Sequence, residues 1–327
     1  MRDVILFLLA AFVLDSLFGD PPYRFHPIRI LGGSIGFVER VLRKLSVDGY
    51  FGGVLLALIV ISSALAGYIV ISSLLLFSKY MLILWNIFLV YSFLALGDLL
   101  KHAGPVLDAL PSKDLQSARR ALAMIVGREV TRLDEKGVVR ATVETLAENF
   151  VDGFLSPVFW YLVGGLLGRL LGFPPPLAAV CSMLVFKTAS TLDSMVGYND
   201  ERYERFGWAG ARLDDAMNFM PARLSIGILM AGAWLSGLDA LGGLRAAMRD
   251  RLKHDSPNAG HPESFVAGAL GVRLGGPAVY GGKIKEKAWL GEGREAVNRT
   301  HIILTLSLLK RTAWVFMFTA IPLYLIQ

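Results

Sequence analysis

Residues 51–77 read FGGVLLALIVISSALAGYIVISSLLLF and contain no charged side chain. A helix of about 20 apolar residues is long enough to cross the hydrocarbon core of a bilayer, so this stretch predicts a membrane-spanning helix. Residues 80–100 form a second apolar run, in which Asp98 is the only charged residue. Because Lys79 leaves almost no loop between the two runs, they predict an antiparallel helical hairpin.

The rest of the chain has the same character. Of its 327 residues, 54% are hydrophobic, and the mean hydropathy is +0.53, which is more apolar than a typical soluble domain. We therefore predict an all-α, polytopic helical bundle, with residues 1–327 forming one integral membrane domain. The apolar segments fall at about 4–18, 51–77, 80–100, 154–173, 177–196, 224–244 and 302–326.

Two stretches between the apolar segments predict extramembrane parts. Residues 101–153 have helical periodicity and predict a cytosolic helical insertion, in which Ser112 is a suitable N-cap and Asp114 lies in the first turn. A second amphipathic helix is predicted after Thr131. Residues 245–301 are rich in glycine and predict a cytosolic, mostly irregular loop region, and ordered loops of this length usually have a function.

Basic residues indicate the cytoplasmic side of the membrane. Residues 19–50 contain five Lys and Arg, 101–153 contain eight and 245–301 contain ten, whereas the linkers at Lys79 and at 172–176 contain one and none. We predict a plasma-membrane protein, and the positive-inside rule places these stretches in the cytoplasm and the N-terminus outside. A plain crossing at 224–244 would put 245–301 outside, so we predict that this glycine-containing segment is broken or re-entrant.

The composition excludes several classes of function. The net charge is +6, but the basic residues flank apolar segments and form no basic helix or aromatic-basic module, so we expect no nucleic-acid partner. The single cysteine, Cys181, excludes an intrachain disulfide framework. The chain also lacks a Walker loop, a His-Glu-x-x-His zinc helix and a Gly-x-Ser-x-Gly elbow, so any nucleotide is bound in another way.

Four groups of ionisable and amide side chains lie at the ends of apolar runs, where a charge is costly and is usually kept for a purpose. Because they come from different segments, we predict that they assemble one polar site on a membrane face. The groups are, in chain order, Asp15, Asp20 and His26; Asn149 and Asp152; Lys187, Asp193 and Tyr198; and Asp214, Asp215, Asn218 and Arg223.

Each group also has a purely structural interpretation. The first is a helix end with solvated acids, because Pro21 forces the chain out of helical geometry. Asp152 is placed to cap the helix that follows it, which contributes about 1 kcal/mol. Lys187 is placed to extend its ammonium group to the membrane surface, and Asp214 and Asp215 are typical of a solvated turn.

The fourth group carries the most specific chemistry. Adjacent carboxylates such as Asp214 and Asp215 repel each other unless a cation or an arginine lies between them. With Asn218 and Arg223 nearby, they are typical of a site for Mg²⁺ and phosphate, in which carboxylates bind the metal and arginine binds phosphate oxygens. Lys187 can hold a phosphate as a point charge.

In this order the motifs resemble the CobD/CbiB family, the membrane proteins of cobalamin biosynthesis called cobinamide-phosphate synthases. The resemblance spans almost the whole chain, and its specificity lies in the joint order of the motifs. One departure is Ala189-Ser190 before Thr191, where the family usually has Asn just ahead of Thr-Leu-Asp-Ser. The matching segments are 15–21 with 26–27, 149–153 with 156–157, 187–198, 203–207, 211–218, 221–223, 256–260, and a glycine-rich run that ends at 282.

The resemblance implies an adenosylcobinamide-phosphate synthase, a carbon-nitrogen ligase. Such an enzyme joins aminopropanol, or (R)-1-amino-2-propanol phosphate, to a carboxylate of adenosylcobyric acid, and ATP and Mg²⁺ are the expected activators. The expected partners are these substrates, the lipid bilayer, and either other corrinoid-pathway enzymes or further copies of the chain.

The residues are assigned to this chemistry as a hypothesis. The catalytic candidates are Lys187, Asp193, Asp214, Asp215, Arg223 and His26. The metal-binding candidates are Asp152, Asp193, Asp214 and Asp215. The candidates for binding cofactors are Asp15, Asp20, Asn149, Asn218, Tyr198 and Asn258. In this scheme Lys187 and Arg223 stabilise charge on the transferring phosphoryl group, and an acid or His26 deprotonates the amine.

Two other classes of protein are weighed against the ligase. A transporter for an anionic solute predicts charges at the middle of the bilayer and internal repeats, but the charges lie at the segment ends and no repeat is found. A non-catalytic membrane scaffold or sensor related to the family would have lost some of the acids and the lysine of the site, and all are present.

Overall fold

The computed structural model describes residues 1–20, 23–111, 114–127, 129–198, 200–280, 283–294 and 296–325. Most of these residues are helical, and five helical segments are long and apolar enough to cross a membrane. The protein is therefore an all-α, multi-pass membrane protein, as predicted. The five segments are Gly49–Phe77, Lys79–Ala109, Glu135–Leu171, Pro175–Val196 and Arg299–Pro322.

Fourteen α-helices and four short strands make up the described part of the chain. The helices are α1 (Arg2–Phe18), α2 (Pro27–Lys44), α3 (Gly49–Leu74), α4 (Lys79–Phe93), α5 (Leu96–His102), α6 (Gly104–Ala109), α7 (Leu115–Ala123), α8 (Glu135–Phe150), α9 (Ser156–Leu171), α10 (Pro175–Val196), α11 (Trp208–Leu235), α12 (Ala240–Asp250), α13 (Gly260–Leu270) and α14 (Arg299–Leu325). The strands are β1 (Leu274–Gly275), β2 (Ala278–Tyr280), β3 (Lys283–Lys285) and β4 (Trp289–Leu290).

The chain packs into two compact units, each built from segments that are distant in sequence. The first unit contains Met1–Ala95, Ser156–Asn218 and Tyr324–Gln327, and the second contains Leu96–Leu155 and Phe219–Leu323. The division into one membrane domain with cytosolic insertions at 101–153 and 245–301 stays a prediction.

In the first unit, small residues and buried hydrogen bonds hold apolar helices together. A Cβ on Gly164 of α9 would lie 2.6 Å from the Ala178 carbonyl oxygen of α10, so glycine permits these two helices to approach closely. Tyr68 of α3 donates a 2.7 Å hydrogen bond to Asn86 Oδ1 of α4. The predicted hairpin is thus present, and a buried polar pair joins its two helices.

The second unit gives residues 245–301 far more regular structure than predicted. α13 fills residues 260–270, β1 pairs antiparallel with β4, and β2 pairs antiparallel with β3. The prediction of a mostly irregular loop is wrong because Phe265, Leu274 and Leu290 are fully buried and give this region a core of its own.

The glycines of this region include contact points between helices. A Cβ on Gly243 of α12 would lie 2.8 Å from the ring of Phe265 in α13, closer than real Cβ contacts. Asp250, at the end of α12, then fixes β4, because its Oδ2 accepts hydrogen bonds from Gly291 N at 2.8 Å and from Arg249 Nη2 at 2.6 Å. The hydrogen bond from Arg249 holds the pKa of Asp250 well below its usual range.

Two predicted helix starts differ from the observed ones. α8 continues through a π-helical turn at Val151–Leu155 directly into α9, so the prediction that Asp152 caps a new helix is wrong. Asp114 is the N-cap of α7, where its Oδ1 accepts a 2.9 Å hydrogen bond from Ser117 N, rather than a first-turn residue. The predicted cap Ser112, Pro21 and the glycine pair 281–282 lie outside the described residues.

The apolar segment 224–244 is broken, as predicted. α11 ends at Leu235, the chain turns through Gly237 with φ of 69°, and α12 begins at Ala240. Neither this segment nor α1, which is 17 residues long, is among the five candidate spans. The predicted first membrane helix at 4–18 is therefore shorter than each of those spans.

Candidate functional site

Three aspartates and a lysine of the first unit form what we call the acidic cluster: Asp193, Asp214 and Asp215 with Lys187. Asp193 and Lys187 lie on α10, and the other two lie on α11. The charges of Asp193, Asp215 and Lys187 all act on Asp214. The structure thus brings together four residues that the sequence predicted for one site.

Asp214 is at the centre of the acidic cluster. Its Oδ2 accepts a 3.0 Å hydrogen bond from Asn218 Nδ2, and Ser156 Oγ donates a 2.6 Å hydrogen bond to Asn218 Oδ1. Asn218 and Ser156 are both buried. The predicted site residue Asn218 therefore orients the Asp214 carboxylate, and Ser156 on α9 orients Asn218.

The electrostatics of the acidic cluster favour binding of a proton or a cation. Burial, and then the neighbouring Asp193 carboxylate, raise the pKa of Asp214 to about 7. Burial also raises the pKa of Asp215, although Arg212 Nη1 lies 3.8 Å from its Oδ2. Asp214 Oδ1 is buried without a hydrogen-bond partner among the described residues. A buried acceptor of this kind destabilises the folded protein unless a proton, a cation or a donor binds it.

A sharp turn shapes the acidic cluster. Gly197 follows α10 directly, and a Cβ there would overlap with Asp193 Oδ1 and lie 2.6 Å from the Asp193 carbonyl oxygen. A Cβ on Gly207 would likewise overlap with the Val196 carbonyl oxygen. Glycine at these two positions lets the end of α10 pack tightly against the chain that leads into α11.

A proline inside α11 creates a further link. Pro221 has no N–H, so it cannot donate the usual helical hydrogen bond to the Met217 carbonyl. Trp160 Nε1 of α9 donates to this carbonyl instead, at 2.9 Å. The indole thereby holds α9 against the turn of α11 that presents Asp214 and Asn218.

The N-terminal group forms a separate arrangement in the first unit. His26 caps α2 through Nδ1, which accepts a 3.2 Å hydrogen bond from Ile28 N, and its Nε2 lies 2.8 Å from Asp20 Oδ1. With Nδ1 accepting, the proton of a neutral ring is on Nε2, facing the carboxylate. Asp15 is fully buried in α1. The lone pair of His26 is thus used in capping, which does not favour a role as general base.

In the second unit, Arg223 lies next to Asn258. Arg223 Nη1 donates to the Phe219 carbonyl at 2.7 Å and to Asn258 Oδ1 at 3.4 Å. The backbone N–H of Asn258 donates to Ser256 Oγ at 3.2 Å. Two predicted site residues, from α11 and from the segment before α13, therefore meet here.

The remaining predicted residues have other surroundings. Asn149 is half-buried in the last turn of α8, and Asp152 is half-buried in the π-helical turn. Tyr198 follows α10, is exposed, and has its ring centroid 6.3 Å from that of Tyr203. The roles predicted for these three residues stay predictions.

Sequence reasoning missed Trp160, Arg251 and His261 near these sites. Trp160 could have been found from Pro221, because a proline inside a helix leaves the carbonyl four residues earlier in need of a donor. Arg251 and His261 gave no such signal, since only the packing of α12 and α13 brings them together.

The described residues contain no group of three or more His, Cys, Asp or Glu side chains arranged to hold a metal ion. This result does not exclude Mg²⁺ chemistry, because Mg²⁺ is usually bound through one or two carboxylates together with water and substrate phosphates. The metal-ligand roles of Asp152, Asp193, Asp214 and Asp215 stay predictions.

Comparison with known proteins gives a consistent match. The family model described as CobD/Cbib protein matches residues 8–309. A protein named cobalamin biosynthesis protein CobD from Pelobacter propionicus is 41% identical over 89% of this chain and 86% of its own. Proteins of the same name from Photorhabdus laumondii (39% identical, covering 92% and 91%) and Listeria monocytogenes serotype 4b (36%, covering 99% of each chain) are also similar. No solved structure matches this chain.

Proposed function

This chain belongs to the CobD/CbiB family of cobalamin biosynthesis proteins, and from that premise we propose that it is adenosylcobinamide-phosphate synthase. The proposed reaction joins the amine of aminopropanol phosphate, or of aminopropanol, to a carboxylate of adenosylcobyric acid. ATP is the proposed energy source. We place the protein in the plasma membrane, with the reaction on the cytoplasmic face, because the basic stretches are expected on that side.

The acidic cluster is the observation that carries this proposal. Asp193, Asp215 and Lys187 all lie within electrostatic range of Asp214, and Asp214 Oδ1 is buried without a partner among the described residues. This arrangement lowers the stability of the folded protein, because like charges repel and unpaired buried oxygens destabilise. Stability alone therefore does not explain it. Perturbed carboxylates of this kind are typical of functional sites.

The acidic cluster fits a divalent cation. Its unpartnered buried oxygen and its raised pKa values both indicate a place where a positive charge would be stabilised. Asp214, with Asp193 or Asp215, would hold Mg²⁺. When bound, Mg²⁺ would neutralise negative charge on phosphate oxygens.

The chain's own residues then have separate roles. Asn218 holds the Asp214 carboxylate through Oδ2 and leaves Oδ1 directed elsewhere. Lys187 supplies a positive charge for a phosphoryl group beside the carboxylates. We assign acceptance of the amine proton to a carboxylate of the acidic cluster rather than to His26, because His26 Nδ1 is occupied by Ile28 N.

The proposed reaction has two steps, activation of the corrinoid carboxylate and formation of the amide. A carboxylate oxygen of the corrinoid attacks the γ-phosphorus of ATP, and ADP leaves. The amine nitrogen then attacks the acyl carbon and forms the C–N bond. Inorganic phosphate leaves as the bond between the acyl carbon and the phosphate oxygen breaks. The proton lost from nitrogen goes to the carboxylate base.

The direct test uses full-length protein purified in detergent. It is incubated with adenosylcobyric acid, aminopropanol phosphate, ATP and Mg²⁺, and the corrinoid product is measured by mass spectrometry. We expect adenosylcobinamide phosphate, and we expect Asp214→Asn and Lys187→Met to lower turnover by about 100-fold. Asp239→Asn is the matched control, because Asp239 caps α12 through Gly242 N and asparagine caps equally well. Near-normal turnover of Asp214→Asn would remove the acidic cluster from the reaction.

A further inference from the structure

Arg223 of the second unit is held in place without a negative partner. Its guanidinium carbon lies 3.3 Å from the centroid of the Phe219 ring, and its Nη1 donates to the Phe219 carbonyl and to Asn258 Oδ1. All of these partners are neutral. The guanidinium is therefore oriented by the protein while its charge stays uncompensated.

A second arginine acts on the same space. The positive charge of Arg251, at the end of α12, adds to burial in lowering the pKa of Arg223. Arg251 Nη1 donates to the Met248 carbonyl at 2.9 Å. In the described part of the chain neither arginine forms an ion pair with a carboxylate. Two arginines that repel each other without an ion pair to a described carboxylate are a costly arrangement for a protein to keep.

His261 lies beside both arginines. Its side chain is 1% exposed, and its Nδ1 has no hydrogen-bond partner among the described residues. Burial and then the charges of Arg223 and Arg251 lower the pKa of His261 to about 4, so the ring is neutral at pH 7. A buried, neutral imidazole that carries its proton on Nδ1 can donate a hydrogen bond to an anion that the arginines attract.

The helix that carries His261 adds positive partial charge at its start, although the buried Glu263 carboxylate lies in the same first turn, 3.8 Å from His254 Nε2. His261 lies in the first turn of α13, and the N-cap residue of this helix, Ala259, has no side-chain hydrogen bond. The N-terminal end of an α-helix carries partial positive charge and favours anions.

We propose that Arg223, Arg251, Asn258 and His261 form an oxyanion site in the second unit that binds a phosphate group. Arginine is suited to this ligand because its planar N–H donors match phosphate oxygens. Asn258 orients Arg223, and His261 Nδ1 hydrogen-bonds a phosphate oxygen. The geometry behind the oxyanion site is the contact of Arg223 with Asn258, the burial of His261, and the close approach of the Arg251 carbonyl oxygen to Gly260, where a Cβ would overlap with it. The assignment of this site to a substrate phosphate rests on the proposed function, which offers two sources, the amino-alcohol phosphate and ATP.

Binding is tested with inorganic phosphate and the full-length protein in detergent. The unfolding midpoint is measured as phosphate replaces chloride at constant ionic strength, and we expect it to rise in a saturable way. Arg251→Gln and His261→Asn should weaken the apparent phosphate affinity about tenfold or more, because each removes a hydrogen bond to a charged ligand. Arg245→Gln is the matched control, since Arg245 is on the same helix but is exposed and its Nη2 lies 3.7 Å from Asp239. Its affinity for phosphate should not change.

A second measurement covers the case in which these variants do not fold. The chain has only five histidines, so selective ¹³C labelling of the histidine rings gives a simple NMR spectrum. Phosphate should shift the His261 signal of the unmutated protein. The proposal is overturned if phosphate stabilises no more than chloride does, if it stabilises all variants equally, or if the His261 signal does not move.

Competition then identifies the source of the phosphate. Displacement of inorganic phosphate by aminopropanol phosphate, but not by ATP, assigns the oxyanion site to the amine substrate, and the reverse result assigns it to the nucleotide. Displacement by neither overturns the substrate assignment. The ligation assay on the same preparation shows separately whether the proposed function itself has failed.

Discussion

Gly197 is the residue on which the position of the Asp193 carboxylate depends most directly. The side chain of Asp193 turns back over the backbone of Gly197, and the Gly197 N–H donates a 2.7 Å hydrogen bond to the Asp193 carbonyl. Its φ of −76° is open to every amino acid. Glycine is therefore required here for space and not for backbone freedom.

We expect Gly197→Ala to impair the acidic cluster while the protein still folds. The added methyl group would overlap with Asp193 Oδ1 and press on the Asp193 carbonyl, so the carboxylate must move away from Asp214. Ligation activity should fall about tenfold or more, since a small misplacement of a reacting group is costly. Gly36→Ala in α2 is the control, because no heavy atom lies within 4 Å of a Cβ there. Full activity of Gly197→Ala would contradict the role given to Asp193.

The pKa of Asp214 makes a prediction about stability and pH. The pKa is raised to about 7 in the folded protein, against about 3.9 in an unfolded chain. Between these pH values the folded state binds more protons than the unfolded state. The contribution of Asp214 to the free energy of unfolding is therefore complete below about pH 4 and is lost as the pH rises to about 7. The unfolding midpoint should therefore drop between pH 5.5 and pH 8, and by about 3 °C less in Asp214→Asn.

Mg²⁺ should replace the proton that Asp214 loses as the pH rises. We expect Mg²⁺ to raise the unfolding midpoint more at pH 8 than at pH 5.5, and to have no such effect in Asp214→Asn. Asp239→Asn should behave like the unmutated protein in both respects. A pH profile of Asp214→Asn that matches that of the unmutated protein would show that Asp214 is ionised throughout this range.

At the level of helices, the sequence was most informative where an apolar run was long and free of charge. The α3–α4 hairpin followed from that pattern alone, whereas the continuity of α8 into α9 did not. Pro157 cannot donate an N–H to the Gly153 carbonyl, which normally suggests a helix start. The chain instead widens into the π-helical turn at Val151–Leu155, a known way to absorb such a disruption. Local sequence does not distinguish these two outcomes.

Contacts between helices were equally hard to predict. Gly242, Gly243 and Gly268 were assigned to a loop region or to a break in an apolar segment, but α12 and α13 meet at these glycines. The four members of the acidic cluster were predicted from their charges, and in the structure the charges of the other three act on Asp214. Their functional roles stay predictions. Arg251 and His261 were missed because their environment exists only after α12 and α13 have packed.

The Trp160–Met217 hydrogen bond is predicted to matter only because α11 contains Pro221. Trp160→Phe should lower the free energy of unfolding by about 1–3 kcal/mol, since it leaves a buried carbonyl without a donor. In a Pro221→Ala background, the alanine N–H can serve this carbonyl, and the same change should cost about 1 kcal/mol less. The measurement is a double-mutant cycle of thermal or denaturant unfolding in detergent. Equal costs in both backgrounds would mean that the indole stabilises the protein through packing alone.

For the protein as a whole, five spans resolve a conflict in the distribution of charge. Seven apolar segments, with the N-terminus outside, left no consistent topology for the basic stretch 245–301. If only the five candidate segments cross the bilayer, residues before Gly49, residues 110–134 and residues 197–298 all lie on one side. These parts contain most of the basic residues of the three basic stretches, as the positive-inside rule requires. The N-terminus is then expected inside, contrary to the assignment made from the sequence.

Cysteine labelling tests this five-span topology. The only native cysteine is first removed by Cys181→Ser, and single cysteines are then introduced by Lys44→Cys, Thr131→Cys, Lys253→Cys, Lys79→Cys and Phe173→Cys, all at exposed positions. In intact cells a membrane-impermeant maleimide should label only the last two, because their linkers carry almost no basic charge and face outward. The other three should react only after permeabilisation. Labelling of Lys253→Cys in intact cells, at the level seen for Lys79→Cys, would require a further crossing between residues 197 and 253. The distribution of charge alone could then no longer assign a reaction centred on Asp214 to the cytoplasmic face.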